Sequence, residues 1–142
     1  MSNRERMSRS GFKHVETEIK HFHQTRNEIS RLRNDIMFGV GGDDENVGGG
    51  RSNLPGDPTG RKATAIVAHR RMRHMEDVTE AIETVINRLP DEKRRFVRAY
   101  YWANPQTLTW DGIAQHLHVS RRTAINWRDE IVQDIGEMIG WM

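Results

Sequence analysis

The sequence contains no cysteine, and this absence excludes several kinds of chemistry at once. A chain without cysteine forms no disulfide, no thiolate zinc site and no cysteine nucleophile. Long hydrophobic runs are also missing, because the longest apolar stretches fall far short of the roughly 20 residues that span a bilayer. The polar start MSNRERMSRS is not followed by the apolar stretch that a signal peptide has. We therefore expect a cytoplasmic protein without a membrane partner.

Hydrophobic residues make up only 35% of the 142-residue chain, whereas charged residues make up 30%. A core built from so little apolar material is thin, and helices with a single apolar stripe suit it. The formal net charge is only +2, so the overall charge does not by itself indicate a nucleic-acid partner. Basic residues nevertheless cluster over 61–73 and 93–98, and the acidic segment 43–45 masks them in the sum.

Apolar residues fall in steps of three and four from Phe12 to Ile36, with gaps at Arg26 and Arg33, which is the pattern of one face of a long helix. Ser10 is expected to cap this helix and Gly39 to end it. The same spacing is that of a short coiled-coil seam. Packing on the chain's own second helix and homodimerisation both account for the pattern, and we slightly favour packing within the chain.

The next segment, 39–61, contains most of the glycines and two of the four prolines. Neither a helix nor a central strand runs through such a composition, so we predict a long loop. A second long helix is predicted over 62–89, before Pro90. A third helix should then begin with Asp91 and Glu92, whose charges favour the start of a helix. Its predicted buried residues are Phe96, Val97, Tyr100 and Tyr101.

The segment from Thr109 to Asp134 has the spacing of a helix-turn-helix. Thr109 and Ser120 are each placed to cap a helix, and a tight turn is expected at His118 and Val119. Two short helices should result, and apolar residues should line the contact between them. The predicted inner residues are Ala114, Val119, Ala124, Trp127 and Ile131.

The outward side of the second of these helices carries the residues that we expect to contact DNA bases. Arg122 is placed to donate to guanine, Asn126 to pair with adenine and Ile125 to touch a thymine methyl, as such side chains do in the major groove. Asp129 lies on the same side at about 100° per residue. Contacts with the DNA backbone are predicted for Thr109, Ser120, Arg121, Thr123 and Arg128, and for Arg94, Arg95 and Arg98 in the preceding helix.

No strand pattern of useful length is present, so we predict an all-α fold. Its predicted segments are an N-terminal helix (1–38), a glycine/proline-rich loop (39–61), a long helix (62–89) and a helix-turn-helix DNA-binding domain (90–142).

Three segments of the chain resemble the RinA family of phage transcriptional regulators, which is related to the ArpU type: NVGGGRSNLPGDPTGRKAT, LPDEKRRFVRAYYW and PQTLTWDGIAQHLHVSRRTAINWRDEIV. A terminal GW adds to a resemblance that covers nearly all of the chain. It implies activation of late or packaging genes in phages and prophages of Gram-positive bacteria, and therefore a place in the cytoplasm of the bacterial host cell. It also implies a C-terminal domain similar to region 4 of bacterial sigma factors, with promoter bases opposite Arg122, Ile125 and Asn126.

Patterns that suggest other chemistry fail on spacing. Lys62 lies in a segment similar to a phosphate loop, but Arg61 and Ala63 stand where a glycine and a hydroxyl are required. The seven histidines lack the spacing of metal ligands, and the carboxylates lack matched acid and base partners. We therefore predict no enzyme, no catalytic residue, no metal and no cofactor. Arg51, Arg61 and Lys62 have a second interpretation, as loop contacts to phosphate or acidic groups.

Three functions fit this pattern. The favoured one is a sequence-specific activator that binds double-stranded promoter DNA, with host RNA polymerase or a sigma factor as an open second partner. A small DNA-packaging subunit of the terminase kind also combines a helix-turn-helix with long oligomerising helices. The third is an RNA-polymerase-binding factor whose helix-turn-helix no longer contacts DNA.

Overall fold

The computed structural model describes residues 6–38 and 58–141, without the side chains of residues 58, 59 and 61. Every regular element in these ranges is a helix, so the predicted all-α fold is confirmed. No helix in the described ranges is both long enough and apolar enough to cross a lipid bilayer. The helices are α1 (Arg9–Lys20), α2 (Phe22–Met37), α3 (Pro58–Asn87), α4 (Asp91–Tyr100), α5 (Trp110–Leu117) and α6 (Arg121–Ile139).

The N-terminal segment forms two consecutive helices where the apolar pattern predicted one. Ser8 caps α1, because its Oγ accepts a hydrogen bond from the Gly11 amide at 3.0 Å, and the prediction of Ser10 as the cap was wrong. His21 separates α1 from α2 with φ −94° and ψ 12°. The apolar side chains keep their helical spacing across this residue, so the pattern contained no sign of the break. The second helix ends at Met37, two residues before the predicted stop.

The long helix α3 starts four residues earlier than predicted, at Pro58. Proline is well tolerated in the first turn of a helix, because the N–H that it lacks would have no acceptor there. The helix ends at Asn87, and the amides of Arg88 and Leu89 then bond to carbonyls three residues back, just before Pro90. Residues 58–61 of the predicted loop are therefore helical, and residues 39–57 lie outside the described ranges.

The chain divides into two compact units. The first unit comprises Met1–Phe22 and Val78–Met142, and the second comprises His23–Asp77. The segment predicted as a single N-terminal helix, 1–38, therefore contributes to both units.

The core of the first unit is built by α1, α4, α5, α6 and the last part of α3. Three residues of the predicted N-terminal face, Val15, Ile19 and Phe22, belong to this core. They are buried within the chain, where α1 packs against α6 and shares its core with Val78, Ile82, Val85 and Ile86 of α3. A Cβ on Gly136 of α6 would overlap the end of the Met7 side chain, so this glycine permits a close approach of the segment before α1.

In the second unit, ion pairs join α2 to the first part of α3. Arg33 Nη2 lies 2.7 Å from Glu76 Oε2, and Arg71 Nη2 lies 4.0 Å from Glu28 Oε2. Such exposed pairs contribute about 0–1 kcal/mol each. In this arrangement Arg71 of α3 is directed towards α2.

Candidate nucleic-acid interface

Two side-chain caps define where α5 and α6 begin. Thr109 Oγ1 accepts a hydrogen bond from the Gly112 amide at 3.1 Å, and Ser120 Oγ accepts one from the Thr123 amide at 3.0 Å. Each bond satisfies an amide that has no partner within its own helix. The structure thus has both caps at the residues that the sequence predicted.

A three-residue turn, 118–120, joins the two helices. His118 has φ 59° and ψ 42°, a left-handed conformation, and the Val119 amide bonds to the Ala114 carbonyl at 3.0 Å. The turn lies where it was predicted, but α6 is not the short helix that was expected. It has 19 residues and continues to Ile139.

Replacing His118 with glycine is expected to stabilise the protein by about 0.5–1 kcal/mol. A left-handed residue with a Cβ costs roughly 1–2 kcal/mol, and glycine removes this cost but loses more entropy on folding. His118→Val should destabilise, because β-branched residues tolerate this conformation worst. Urea denaturation of both variants is the measurement, with Gln115→Gly inside α5 as a control that should cost about 1 kcal/mol. Equal losses for glycine and valine at position 118 would contradict the left-handed turn.

The inner side of α6 packs into the core and against α5. Ala124, Trp127 and Ile131 are 0%, 9% and 1% exposed, and Ala114 of α5 is 5% exposed. The small Ala114 side chain lets the two helices approach closely, as in a helix-turn-helix. The inner residues of α6 lie where the sequence predicted them, and their burial fixes which side of the helix faces solvent.

The outward face of α6 is formed by Arg122, Ile125, Asn126 and Asp129. Arg122, Asn126 and Asp129 are exposed and Ile125 is half-buried. Within the described residues, Arg122 and Asn126 form no hydrogen bond or ion pair, so their donors are available to a ligand. Asp129 Oδ1 already accepts a hydrogen bond from Arg128 Nε at 3.0 Å. The structure therefore brings the four predicted base contacts together, and Arg122 and Asn126 are the polar groups among them without a partner in the described residues.

Arg121 and Thr123, two of the residues predicted to contact the DNA backbone, lie at the start of α6. Arg121 is exposed and its Nη1 lies 3.8 Å from Asp111 Oδ1, an exposed pair that a phosphate can displace. Thr123 is half-buried and its Oγ1 accepts a 2.9 Å hydrogen bond from Ser120 Oγ. Both residues lie at the helix end where backbone amides favour anions.

Arg128 is only partly exposed and packs against side chains of the first unit. Its side chain is 24% exposed, and its Cζ lies 5.2 Å from the ring centroids of both Phe12 and Trp110. Burial alone would lower the pKa of Arg128, but the hydrogen bond to Asp129 and the charges of Asp129 and Glu16 outweigh it and raise the pKa. Arg128 thus remains charged while it links α6 to α1 and α5. This placement favours a structural role over the predicted phosphate contact.

The predicted basic residues of α4 differ in their surroundings. Arg94 pairs with Asp91 in the same helix, and its side chain is 35% exposed. Arg95 and Arg98 are exposed and form no ion pair with another described residue. They lie three positions apart, on one side of the helix. The structure thus favours Arg95 and Arg98 over Arg94 as contacts for a polyanion.

The predicted loop contacts are only partly described. Arg51 and the side chain of Arg61 lie outside the described part of the chain. Lys62 is exposed in the first turns of α3, within the second unit. In the described ranges, no three histidine or acidic side chains gather as metal ligands.

A polar link between α1 and the end of α4 was not foreseen from the sequence. Tyr101 Oη donates a 2.7 Å hydrogen bond to Glu16 Oε2, and Trp102 Nε1 donates a 2.8 Å bond to the Ile19 carbonyl. Burial raises the pKa of Tyr101, and the hydrogen bond to Glu16 and the charge of this carboxylate raise it further. These partners are 85 and 83 residues apart in sequence, so no local pattern could have indicated them.

The raised pKa of Tyr101 predicts a loss of stability in strong alkali. The folded state keeps the phenol proton, whereas the unfolded chain loses it near pH 10. The phenol proton of Tyr101 therefore contributes to the free energy of unfolding. This contribution is complete below pH 10 and is lost as the pH rises above it, by up to about 1.4 kcal/mol per pH unit. Urea denaturation measures the free energy of unfolding at about pH 9 and pH 11. Between these two pH values it should decrease less for Tyr101→Phe than for the unchanged protein. Equal decreases would contradict the assignment, since lysine titration is common to both proteins.

No curated protein and no solved structure matches the sequence. One protein family does, and the match extends over residues 15–137. It includes all of α2, α3, α4 and α5 and most of α6, and therefore the outward face of α6. The chain belongs to this family, which is described as "Protein of unknown function (DUF722)".

Proposed function

We propose that this protein is a sequence-specific DNA-binding transcriptional regulator, in which the outward face of α6 contacts bases in the major groove. The observation that carries the proposal is the geometry of α5, the turn and α6. Burial of Ala124, Trp127 and Ile131 fixes the rotation of α6, and Arg122 and Asn126 are left exposed on its other side. A helix of this width fits the major groove, where base edges are distinguishable.

The chemistry of the outward face suits base recognition. The Arg122 guanidinium can donate two hydrogen bonds to O6 and N7 of a guanine, and the Asn126 amide can pair with N6 and N7 of an adenine. The half-buried Ile125 offers an apolar surface to a thymine methyl. Each good bidentate contact is worth about 1–3 kcal/mol of discrimination between bases.

Sequence-independent affinity has to come from outside this face. From Trp110 onward the chain has five acidic residues and three basic ones, and the guanidinium of Arg128 lies over two aromatic rings. Arg95, Arg98 and Arg121 are the exposed cations of the first unit that we assign to phosphate contacts. Neutralising phosphates releases counterions, so the affinity should fall steeply with salt.

The regulatory role rests on the resemblance to phage transcriptional regulators. We infer that the DNA is a promoter region and that the regulated genes are late or packaging genes of a phage. A regulator of this kind would act in a bacterial cytoplasm, and its second partner would be RNA polymerase or a sigma factor.

Selection from a randomised duplex library tests the proposal. The purified chain should enrich one motif and protect it in a footprint as a monomer or dimer. Enrichment of no motif by a ring of many subunits would point to DNA packaging instead. Tight binding to RNA polymerase without any DNA shift at low salt would show that the outward face does not read DNA.

A further inference from the structure

The first part of α3, in the second unit, carries a stripe of positive charge that the outward face of α6 does not explain. Lys62, Arg70 and Arg73 fall within about 80° of one another at 100° per residue. All three are exposed, and none forms an ion pair with another described residue. Ile66 lies among them and is 51% exposed. We call Lys62, Ile66, Arg70 and Arg73 the cationic stripe of α3.

The opposite side of α3 differs in chemistry and in its partners. Ala68, Met72 and Met75 are half-buried there. Arg71 is next to Arg70 in sequence, but it points to the α2 side, where Glu28 lies 4.0 Å away. The structure therefore separates adjacent arginines into one that is paired within the unit and one that is open to solvent.

The stripe has a defined length. It extends over 12 residues, so its two ends lie about 17 Å apart along the helix axis. No acidic residue occurs in α3 before Glu76. Beyond it, Asp77 and Glu80 lie on the same side of the helix as the cationic stripe. The positive charge thus ends where the helix passes out of the second unit, and its three cations form a short line.

We propose that the cationic stripe of α3 binds the phosphate backbone of duplex DNA and supplies sequence-independent affinity. This inference rests on the proposed function, which makes duplex DNA the ligand. Its chemical support is charge complementarity, because DNA presents a regular line of phosphates and three unpaired cations can neutralise about three of them. The need for such a contact follows from the excess of acidic residues after Trp110.

The salt dependence of DNA binding tests the stripe. The slope of log affinity against log salt should become shallower by about 2–3 in the triple variant Lys62→Gln, Arg70→Gln, Arg73→Gln, since each phosphate contact contributes about 0.9. The ratio of affinities for the selected site and for unrelated DNA should not change, because phosphates carry no sequence information. Glutamine keeps the helix propensity of the residues that it replaces, and thermal denaturation should show that the variant is folded.

Two controls make this test specific. Arg71→Gln removes one positive charge from the paired side of α3 and should leave the slope within about half a unit of the original, whereas each single glutamine substitution in the stripe should change it by about 0.9. The charge-conserving triple variant Lys62→Arg, Arg70→Lys, Arg73→Lys should keep the original slope.

The outcomes separate this inference from the proposed function. Site-specific binding with an unchanged slope in the glutamine variant would overturn the stripe alone. If the glutamine variant lost RNA polymerase binding but kept the original slope, the stripe would be assigned to a protein partner. That result would also overturn the inference that it binds DNA. A chain that does not bind duplex DNA even at low salt would contradict both proposals.

Discussion

Arg122→Ala is expected to weaken binding to the selected DNA site about 5- to 150-fold, which corresponds to 1–3 kcal/mol. The Arg122 guanidinium is exposed and has no partner among the described residues, so the loss reflects a contact with DNA and not a disrupted fold. The variant should also relax the preference at one base pair, because a bidentate contact to guanine is lost. Fluorescence anisotropy with the site and its single-base-pair variants measures both effects.

The neighbouring residue provides the matched control for this experiment. Arg121 has the same chemistry but flanks the outward face, near Asp111. Arg121→Ala should weaken binding to all duplexes alike and should make the salt slope shallower by about 1. If Arg122→Ala kept both full affinity and full discrimination, the assignment of the outward face would be wrong.

Phe96→Ala is expected to lower the free energy of unfolding by about 3–5 kcal/mol. Phe96 is 0% exposed and its ring lies 5.4 Å from that of Tyr100, 6.2 Å from that of Trp110 and 6.5 Å from that of Trp127 between centroids. Removing it leaves a cavity between α4, α5 and α6. Because domains of this size are stable by only about 5–15 kcal/mol, the variant should be close to unfolding at 37 °C.

Chemical denaturation with a surface control tests this prediction. Leu108 precedes α5 and is 40% exposed, so Leu108→Ala removes an apolar side chain of similar kind outside the core. It should cost less than about 1 kcal/mol. A loss below about 1 kcal/mol for Phe96→Ala would contradict the packing of the three helices around this ring.

Local chemistry explains why so much of the α5 to α6 segment was predictable. A cap needs only a hydroxyl and an amide three residues later, and Thr109 and Ser120 both have that arrangement. The outward face followed from helical periodicity once Ala124 and Trp127 were taken as buried. Ser8 and Ser10 show the limit of this reasoning, because two nearby serines satisfied the same rule and the structure uses the first.

Contacts between distant residues explain what was missed. The sequence indicates a surface cation at Arg128, but Phe12, more than a hundred residues earlier, and Trp110 both lie against its guanidinium and leave it half-buried. The break at His21 left no mark in the apolar spacing, because side chains on both sides of it remain buried. The start of α3 at Pro58 was not predicted, because the composition of the glycine-rich segment before it favoured a loop.

The role of the N-terminal segment changes most in this structure. The sequence suggested a helix that packs on the second helix or pairs with another copy. In the structure α1 packs against α6 and, through Phe12 and Glu16, adjoins the residues that hold Arg128. We infer that α1 helps to fix the position of α6 and hence of its outward face.

The absence of cysteine allows a direct test of the central claim, that the outward face of α6 lies against DNA bases. A single cysteine introduced as Asn126→Cys can carry an iron chelate that cleaves nearby DNA, with Met138→Cys, near the other end of α6, as the matched control. At saturating protein, the reagent at position 126 should cleave a few adjacent positions inside the protected site, and the reagent at position 138 should not. No cleavage from position 126, or the same pattern from both positions, would contradict the claim.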